Sequence, residues 1–394
     1  MTTIPVFKHY TKMLIYDYII IGAGAAGLSL ADRLCDPAFA GFNILVIDKE
    51  IKTGNDRTWC SWYKKPNRYD FLAQKRWKTL HFVGPGGEHI KLDPAPYDYR
   101  MLLSAPFYHH IHDRIEKSNH VHFVKAAYFS HTQKEGRVEV LTDQGSYLCN
   151  HLFSSVFQGE IDKKKHVYTD QHFKGWVIET PTPAFDDTAC TFMDFSIDQG
   201  DEVRFMYVLP HSPTKALVEL AVFSTTLWSQ QDYDKVVGDY IQTHLSLTDY
   251  QITETEFGII PMTSYPFAQN NTPMVTHIGM AGGAVKASSG YAFDRIQVHS
   301  DAIAQCILKG EAPGRASRVF KRRHQLYDAT LLQVLDKKRY RGADFFLTLF
   351  QRNPASRVFD FLNEETSLWE EVQLMAGSPK HIFAWSMGER VWGS

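Results

Sequence analysis

The sequence predicts an α/β fold: a Rossmann-like, two-dinucleotide-binding domain with a β-rich insertion and helices at its C-terminal end. Three observations predict it. Residues 17–48 read as a strand, a glycine-rich turn, a helix and a second strand ending in an acid. A second strand–glycine–helix turn comes near residue 280, and the segments between carry the alternation and turn residues of β-structure. With 394 residues, 44% of them hydrophobic, the chain can bury a large core in two or three structural units.

The first element, Tyr16-Asp17-Tyr18-Ile19-Ile20-Ile21, is nearly continuous in apolar content, as a buried parallel strand should be. It runs into Gly22-Ala23-Gly24-Ala25-Ala26-Gly27 and then into Leu28–Leu34, whose apolar residues have helical spacing. Gly22 permits the tight turn, Gly24 lets the backbone approach a pyrophosphate, and Gly27 lets the helix pack on the strand. Ala25 and Ala26 open the helix, whose free N–H groups face the phosphates. Asn43–Ile47 is the second strand. It ends at Asp48, 21 residues beyond Gly27, where a carboxylate can accept from a ribose hydroxyl, with Lys49 beside it in the same site.

The second glycine cluster decides between nucleotides. Met274–Gly279 reads as a strand, Met280-Ala281-Gly282-Gly283-Ala284 as a turn, and Ala292–Leu308 as a helix. A flavoprotein that binds one extended FAD uses both ends of its chain, and a late turn at Gly279, Gly282 and Gly283 closes over the ribityl and flavin. FAD is therefore expected. No second Gly-x-Gly-x-x-Gly is present, so NAD(P)H would dock only as a transient reductant; Gly84-Pro85-Gly86-Gly87 reads as a hairpin turn. The complete fold class is α/β: a Rossmann-like two-dinucleotide-binding FAD domain with an inserted β-rich substrate domain and C-terminal helices. Residues 14–75, 97–165 and 270–310 form the discontinuous FAD-binding domain, 76–96 and 166–269 the substrate domain, and 311–394 the helical region.

Net charge −2 argues against nucleic-acid binding. Five widely spaced cysteines suit a reduced, cytoplasmic compartment. Ile19–Ile21 leads into glycines rather than a cleavage site, so no signal peptide is expected, and no run approaches a membrane span. His109, His110 and His112, with His120 and His122 nearby, lack a coordinating spacing with a fourth ligand, so they read as surface histidines and no metal is expected.

Residues 203–223 read as two strands joined by a turn-rich loop at His211–Lys215. If the loop closes symmetrically, Leu209 opposes Leu217, Tyr207 opposes Glu219 and Phe205 opposes Ala221. Glu219 is then the single charge on a face of Val203, Phe205, Tyr207, Leu209, Leu217, Ala221 and Phe223. Arg204 falls on the other face, and a one-residue slip would reverse this. An unpaired carboxylate in an apolar wall has a raised pKa, the environment of a general acid. The bland alternative is a Glu satisfied by a distant Arg or facing water. Asp194, in Thr191-Phe192-Met193-Asp194-Phe195, is a second candidate acid in a less regular run.

These residues resemble the bacterial lycopene cyclase family. The matching blocks are Gly22–Gly27 with Asp48, Asn55-Asp56-Arg57-Thr58-Trp59, Phe192-Met193-Asp194, Arg204 through Glu219, and Lys286-Ala287-Ser288-Ser289-Gly290-Tyr291-Ala292-Phe293, in family order. The resemblance implies cyclisation of the ends of lycopene to β-rings with reduced FAD, and it places Arg57, Thr58, Trp59, Ser289, Gly290 and Tyr291 with the cofactor and the family's acid on Glu219. Three positions depart from the family: Leu220 stands where a second acid is usual, Phe157-Gln158-Gly159-Glu160 replaces Asp-Gly-Arg-Gly, and Ala287 replaces a proline. Phe361-Leu362-Asn363-Glu364-Glu365-Thr366 is similar to a plant cyclase motif but comes too late in the chain, and it reads as a surface helix segment.

On this reading Glu219 protonates a terminal double bond and the reduced flavin and aromatic walls stabilise the cation. The substrates would be lycopene and related linear carotenes, dissolved in membrane, so peripheral contact with the inner face of the cell membrane is expected. Residues 315–341 carry nine Arg or Lys against two Asp, followed by Phe345-Phe346-Leu347-Thr348-Leu349-Phe350. That pattern suits either an anionic membrane surface or a solvated helix packed on the core. Trp59 and Trp62 read as packing residues near the flavin. The alternative enzyme is an FAD-dependent monooxygenase or isoprenoid reductase of the same architecture; a non-catalytic flavin or lipid carrier would leave Glu219 unexplained.

Overall fold

A computed structural model describes residues 14–392. Residues 1–13, where a leader would lie, and 393–394, the end of the expected helical region, are outside the described residues.

Two large sheets and a small one carry the molecule. The apolar strand Ile15–Ile21 sits centrally in the first sheet, parallel to Ile44–Asp48 on one side and Gly145–Ser154 on the other. Val121–Lys125 extends the sheet beyond Ile44–Asp48, and Arg137–Thr142 and Tyr128–Lys134 add antiparallel strands at the opposite end. Val275–His277 returns from late in the chain to lie parallel to Gly145–Ser154, which brings the second glycine turn beside the first. Ile19, Ile20, Ile44–Ile47 and Leu152 are fully buried, as strands covered on both faces require.

The turn after Ile21 forms because its glycines meet real constraints. Gly22 has φ +93°, and a Cβ on Gly27 would stand 1.8 Å from the Gly22 carbonyl oxygen. The helix Ala25–Leu34 follows and packs against the late helix Phe293–Leu308, to which Arg33 donates at Asp301 and Gln297.

The second sheet is seven-stranded, in the order Gln251–Thr263, Tyr168–Glu179, Lys215–Ser224, Val203–Ser212, Ala189–Asp194, Thr79–Val83 and His89–Leu92. It is antiparallel except where Ala189–Asp194 meets Thr79–Val83. The last two strands are joined through Gly84–Gly87, the expected hairpin turn. The helix Gln230–Thr243, capped by Ser229, covers one face against Met206, Val208, Val218, Leu220 and Val222. The opposite face turns inward, where Phe205, Tyr207, Leu209, Leu217 and Phe223 share a core with Trp62, Tyr99, Phe345 and Phe346. Thr58–Tyr63, Asp98–Leu103 and Lys75–Trp77 form the third sheet.

Five helices close the fold: Arg322–Asp336, Gly342–Arg352, Ala355–Leu362, Leu368–Met375 and Lys380–Trp392. Here the structure decides between two open readings and corrects one expectation. Phe345, Phe346 and Phe350 do not present an apolar face to a membrane; they are at most 9% exposed and pack on Phe82, Phe192, Phe195 and Phe205 of the central core. Much of the neighbouring basic charge is neutralised within the fold, Arg323 by Glu371, Arg339 and Lys337 by Glu389, and Lys338 by Asp201. The segment 361–366 is not a surface helix either. Glu364 takes φ +62°, is 4% exposed and pairs with Arg295, and Asn363 accepts from Trp62 Nε1 at 2.9 Å. Burying the Glu364 charge is sustainable because Lys286 and the Lys321 backbone N–H also face it. No helix among the described residues is long and apolar enough to cross a membrane.

Candidate active site

The inward face of the second sheet and the two glycine turns enclose one cavity of about 380 Å³. That size is at the lower end of the usual range for small-molecule sites. The glycine turns contribute Gly24, Ala25, Ala26, Gly279, Ser289, Gly290 and Tyr291 to its lining, and the second sheet contributes Tyr207, Leu209, Leu217, Glu219, Glu256 and Phe173. Arg57, Thr58 and Trp59 also line it.

The glycine turns fit an extended dinucleotide. Gly24 is the N-cap of Ala25–Leu34 and supplies no side-chain cap, so the first-turn N–H groups remain free for an anion. A Cβ on Gly24 would meet nothing within 4 Å, whereas one on Gly290, at φ +74°, would stand 1.8 Å from Gln171 Oε1. Gly279, at φ +59°, closes on Ala26, where its Cβ would approach to 2.8 Å. Gly282 and Gly283 do not line the cavity: Gly282 packs over the His277 carbonyl and Gly283 takes φ +77° to end the turn. Gly22 and Gly27 lie beneath, shaping the turn rather than lining it. Asp48 accepts from the Ala23 N–H at 2.5 Å and from the Glu50 N–H at 3.1 Å, so it braces the turn at the strand end; Lys49 beside it is exposed.

On the second sheet the register settles the hairpin. Tyr207 pairs with Glu219, Leu209 with Leu217 and Phe205 with Ala221, the arrangement expected from symmetric closure. The turn is tighter than His211–Lys215, because the strands continue to Ser212 and resume at Lys215. Arg204 is on the helix-covered face, donating to Glu202 at 2.8 Å and lying over Trp228. Leu220 is on that face too and fully buried under Gln230–Thr243, so an acid there would not reach the cavity.

The sequence did not reveal Glu256. Gly175 pairs with Glu219 on one side and with Glu256 on the other, so Tyr207, Glu219, Gly175 and Glu256 form one row across four strands, on one face. Glu256 Oε2 accepts from Thr58 Oγ1 at 2.8 Å. Glu219 Oε2 is shielded and has no donor. The two carboxyls can join by a hydrogen bond only if one of them keeps a proton. Burial pushes Glu219 well above the ordinary carboxylate range, and the Glu256 charge pushes it further. The signal in the sequence was Gly175 itself, a glycine inside a strand, which marks a close approach. Ser155, Gln171 and Lys52 are further lining residues that sequence reasoning missed.

Around the acids the wall is aromatic. Tyr291 OH is 3.0 Å from Tyr99 OH and 3.4 Å from Tyr207 OH, and burial raises all three phenols. Trp59 stacks on Phe293 at 5.0 Å, and Trp62 stacks on Phe359 and meets Tyr291 edge-on, both at 4.6 Å. Asp194 is not brought to the cavity. Its carboxylate accepts from Tyr240 OH at 2.7 Å and from Ser196 N–H and Oγ, tying the strand end to the covering helix.

The fold is thus the Rossmann-like FAD-binding type, with a cavity lined both by the glycine turns and by Glu219. The chain belongs to the family described as lycopene cyclase protein, whose match spans residues 17–386. It is 24% identical over 386 residues to a lycopene beta-cyclase of Pseudescherichia vulneris, covering 92% of this chain and 94% of that enzyme. It is 25% identical over 356 residues to a chloroplastic neoxanthin synthase of Solanum tuberosum, covering 82% of this chain and 66% of the plant protein, a little under two thirds of its length. Among solved structures, a geranylgeranyl bacteriochlorophyll reductase-like protein of Thermoplasma acidophilum superposes with a TM-score of 0.67 over 95% of this chain and 98% of that one, at 14% identity.

Proposed function

We propose that this protein is a lycopene β-cyclase that binds FAD, works with the flavin reduced, and closes the ψ-ends of lycopene into β-rings, giving γ- and then β-carotene without net redox change. The observation that carries the reading is Glu219, which faces the cavity from an apolar and aromatic wall where burial raises its pKa, in a chain of the lycopene cyclase family.

The free N–H groups at the start of Ala25–Leu34 would hold the pyrophosphate and Asp48 the ribose. The turns at Gly279 and at Ser289–Tyr291, with Arg57, Thr58 and Trp59, would enclose the flavin. When bound, the reduced flavin supplies negative charge beside the reacting end. Glu219 gives its proton to the terminal double bond, leaving a tertiary cation. The neighbouring double bond closes on that centre, and loss of a ring proton forms the β-ring. Tyr99, Tyr207 and Tyr291 line the cavity and would stabilise the positive charge through their rings, while Leu209, Leu217 and Phe173 would keep out the water that captures it.

The reading carries several companions. NAD(P)H serves as transient reductant; related linear carotenes are accepted; and residues 14–75, 97–165 and 270–310 form the FAD domain around a substrate domain at 76–96 and 166–269. The protein works at the inner face of the cell membrane. With the phenylalanines of 345–350 in the core, the contact moves to Leu368, Trp369 and Val372, which are 65%, 69% and 58% exposed on one side of Leu368–Met375.

Expression in cells that accumulate lycopene, followed by pigment chromatography, tests the reading: β-ring carotenes are expected. Glu219→Gln should lower conversion by about a hundredfold or more while FAD stays bound. Cyclisation by the Gln variant at the parent rate, or in the presence of oxidised FAD alone, would refute it.

A further inference from the structure

We propose that Glu219 and Glu256 hold one proton between them across Gly175, and that Glu256 is the positioning residue that keeps Glu219 loaded as the acid. The proposal rests on the cyclase reading for what the proton is used for, but the shared proton itself is a property of the sheet.

Three strands make the pair. Glu219 and Glu256 are two strands apart, and an ordinary side chain on the middle strand would stand between them. That strand carries Gly175 instead, where a Cβ would lie 3.0 Å from Glu219 Oε2 and 2.7 Å from Leu217 Cδ1. The gap left by the missing side chain is occupied by the Glu219 carboxyl, reaching toward Glu256. Both acids line the cavity, so the pair faces any bound molecule.

The hydrogen-bond partners assign the proton. Thr58 Oγ1 donates to Glu256 Oε2 at 2.8 Å, so that oxygen already acts as an acceptor. Glu219 Oε2 is sealed from solvent and has no hydrogen-bond partner, so nothing stabilises a charge there and the proton stays with Glu219. Burial and then the neighbouring Glu256 carboxyl both push Glu219 upward, in the direction that keeps a proton on it. The other titratable groups facing it do not neutralise the charge. Tyr207, from the adjoining strand, and Cys60, from Thr58–Tyr63, are both kept neutral by burial. Lys52 and Arg57 line the same cavity, but Lys52 is paired with Asp56, and Arg57 donates to the Asp56 and Phe257 carbonyls. Lys174, next to Gly175, pairs with Asp234 on the helix side.

A cyclisation consumes no proton overall. The proton that Glu219 delivers to the double bond is matched by the one lost from the ring, and the pair returns to its starting state when the Glu219 carboxylate takes that proton back.

Infrared titration of the purified, flavin-loaded protein labelled with ¹³C-glutamate reads the pair without substrate. The parent should keep one protonated carboxyl through neutral pH. Glu219→Gln should lose it, and Glu256→Gln should keep it but release it about one pH unit lower or more, because the opposing charge is gone. The alkaline limb of the cyclisation profile should move down by the same amount in Glu256→Gln, with Glu256→Asp restoring much of the parent profile. A parent without a protonated carboxyl at neutral pH overturns the proposal even if no variant folds. So does a Glu256→Gln titration that coincides with the parent, which would make Glu256 a bystander. A shifted titration in a parent that converts no lycopene would leave the pair standing and remove the cyclase reading instead.

Discussion

Lys286 Nζ lies 2.9 Å from Asp328 Oδ2, with 1% and 5% of the two side chains exposed. Ser288 Oγ donates to the other oxygen of Asp328 at 2.7 Å, so two residues of the late glycine turn are bound to one carboxylate on Arg322–Asp336. The C-terminal helices thereby hold the turn that ends in Gly290 and Tyr291. Lys286→Met leaves Asp328 without its cation, and removing one partner of such a buried pair costs about 3–5 kcal/mol. Urea denaturation should show that loss, and Lys286→Met with Asp328→Asn should recover part of it.

Glu219 couples stability to pH in a direction opposite to most carboxylates. Its folded pKa is well above the ordinary 4.5, so near neutral pH the folded state keeps a proton that the unfolded chain has lost. Stability therefore falls as pH rises from the unfolded value toward the folded one. Glu219→Gln removes this dependence. Thermal melts should place the variant above the parent at about pH 8 and bring the two together below roughly pH 4. A parallel pair of curves would show that the carboxyl is ionised in the fold.

Gly290→Ala should weaken flavin binding without unfolding the protein. Its φ of +74° strains any other residue, and the new methyl would meet Gln171 Oε1. A strain of about 1–3 kcal/mol at this turn corresponds to roughly a tenfold to hundredfold loss of FAD affinity, measured by fluorescence quenching.

Two aromatic substitutions separate core from surface. Phe346→Ala should cost about 3–5 kcal/mol, since the ring is 6% exposed and stacks on Phe195 at 5.7 Å. Trp369→Ser, on the exposed side of its helix, should leave stability within about 0.5 kcal/mol and reduce flotation with anionic vesicles. Unchanged flotation would move any membrane contact elsewhere.

The sequence revealed what is local or periodic. The Gly22–Asp48 turn was legible because its glycine spacing and flanking strands describe one continuous segment. The 203–223 hairpin was legible because alternation and a short turn determine which residues share a face. Glu256 was not legible, since its partnership with Glu219 runs through a third strand some way off in sequence, and no periodicity encodes that order. The phenylalanines of 345–350 show the same limit: an apolar helical face must be covered, but what covers it is a fact of the whole fold. Glu364 escaped because its burial depends on a left-handed backbone position and on cations from distant helices.

One cavity is lined both by Gly24–Ala26 and by Glu219. On the cyclase reading, a long apolar molecule entering beside a bound cofactor need bring only the end of its chain to the acid. Such a site would read the shape of the first few carbons and leave the length of the remainder unread.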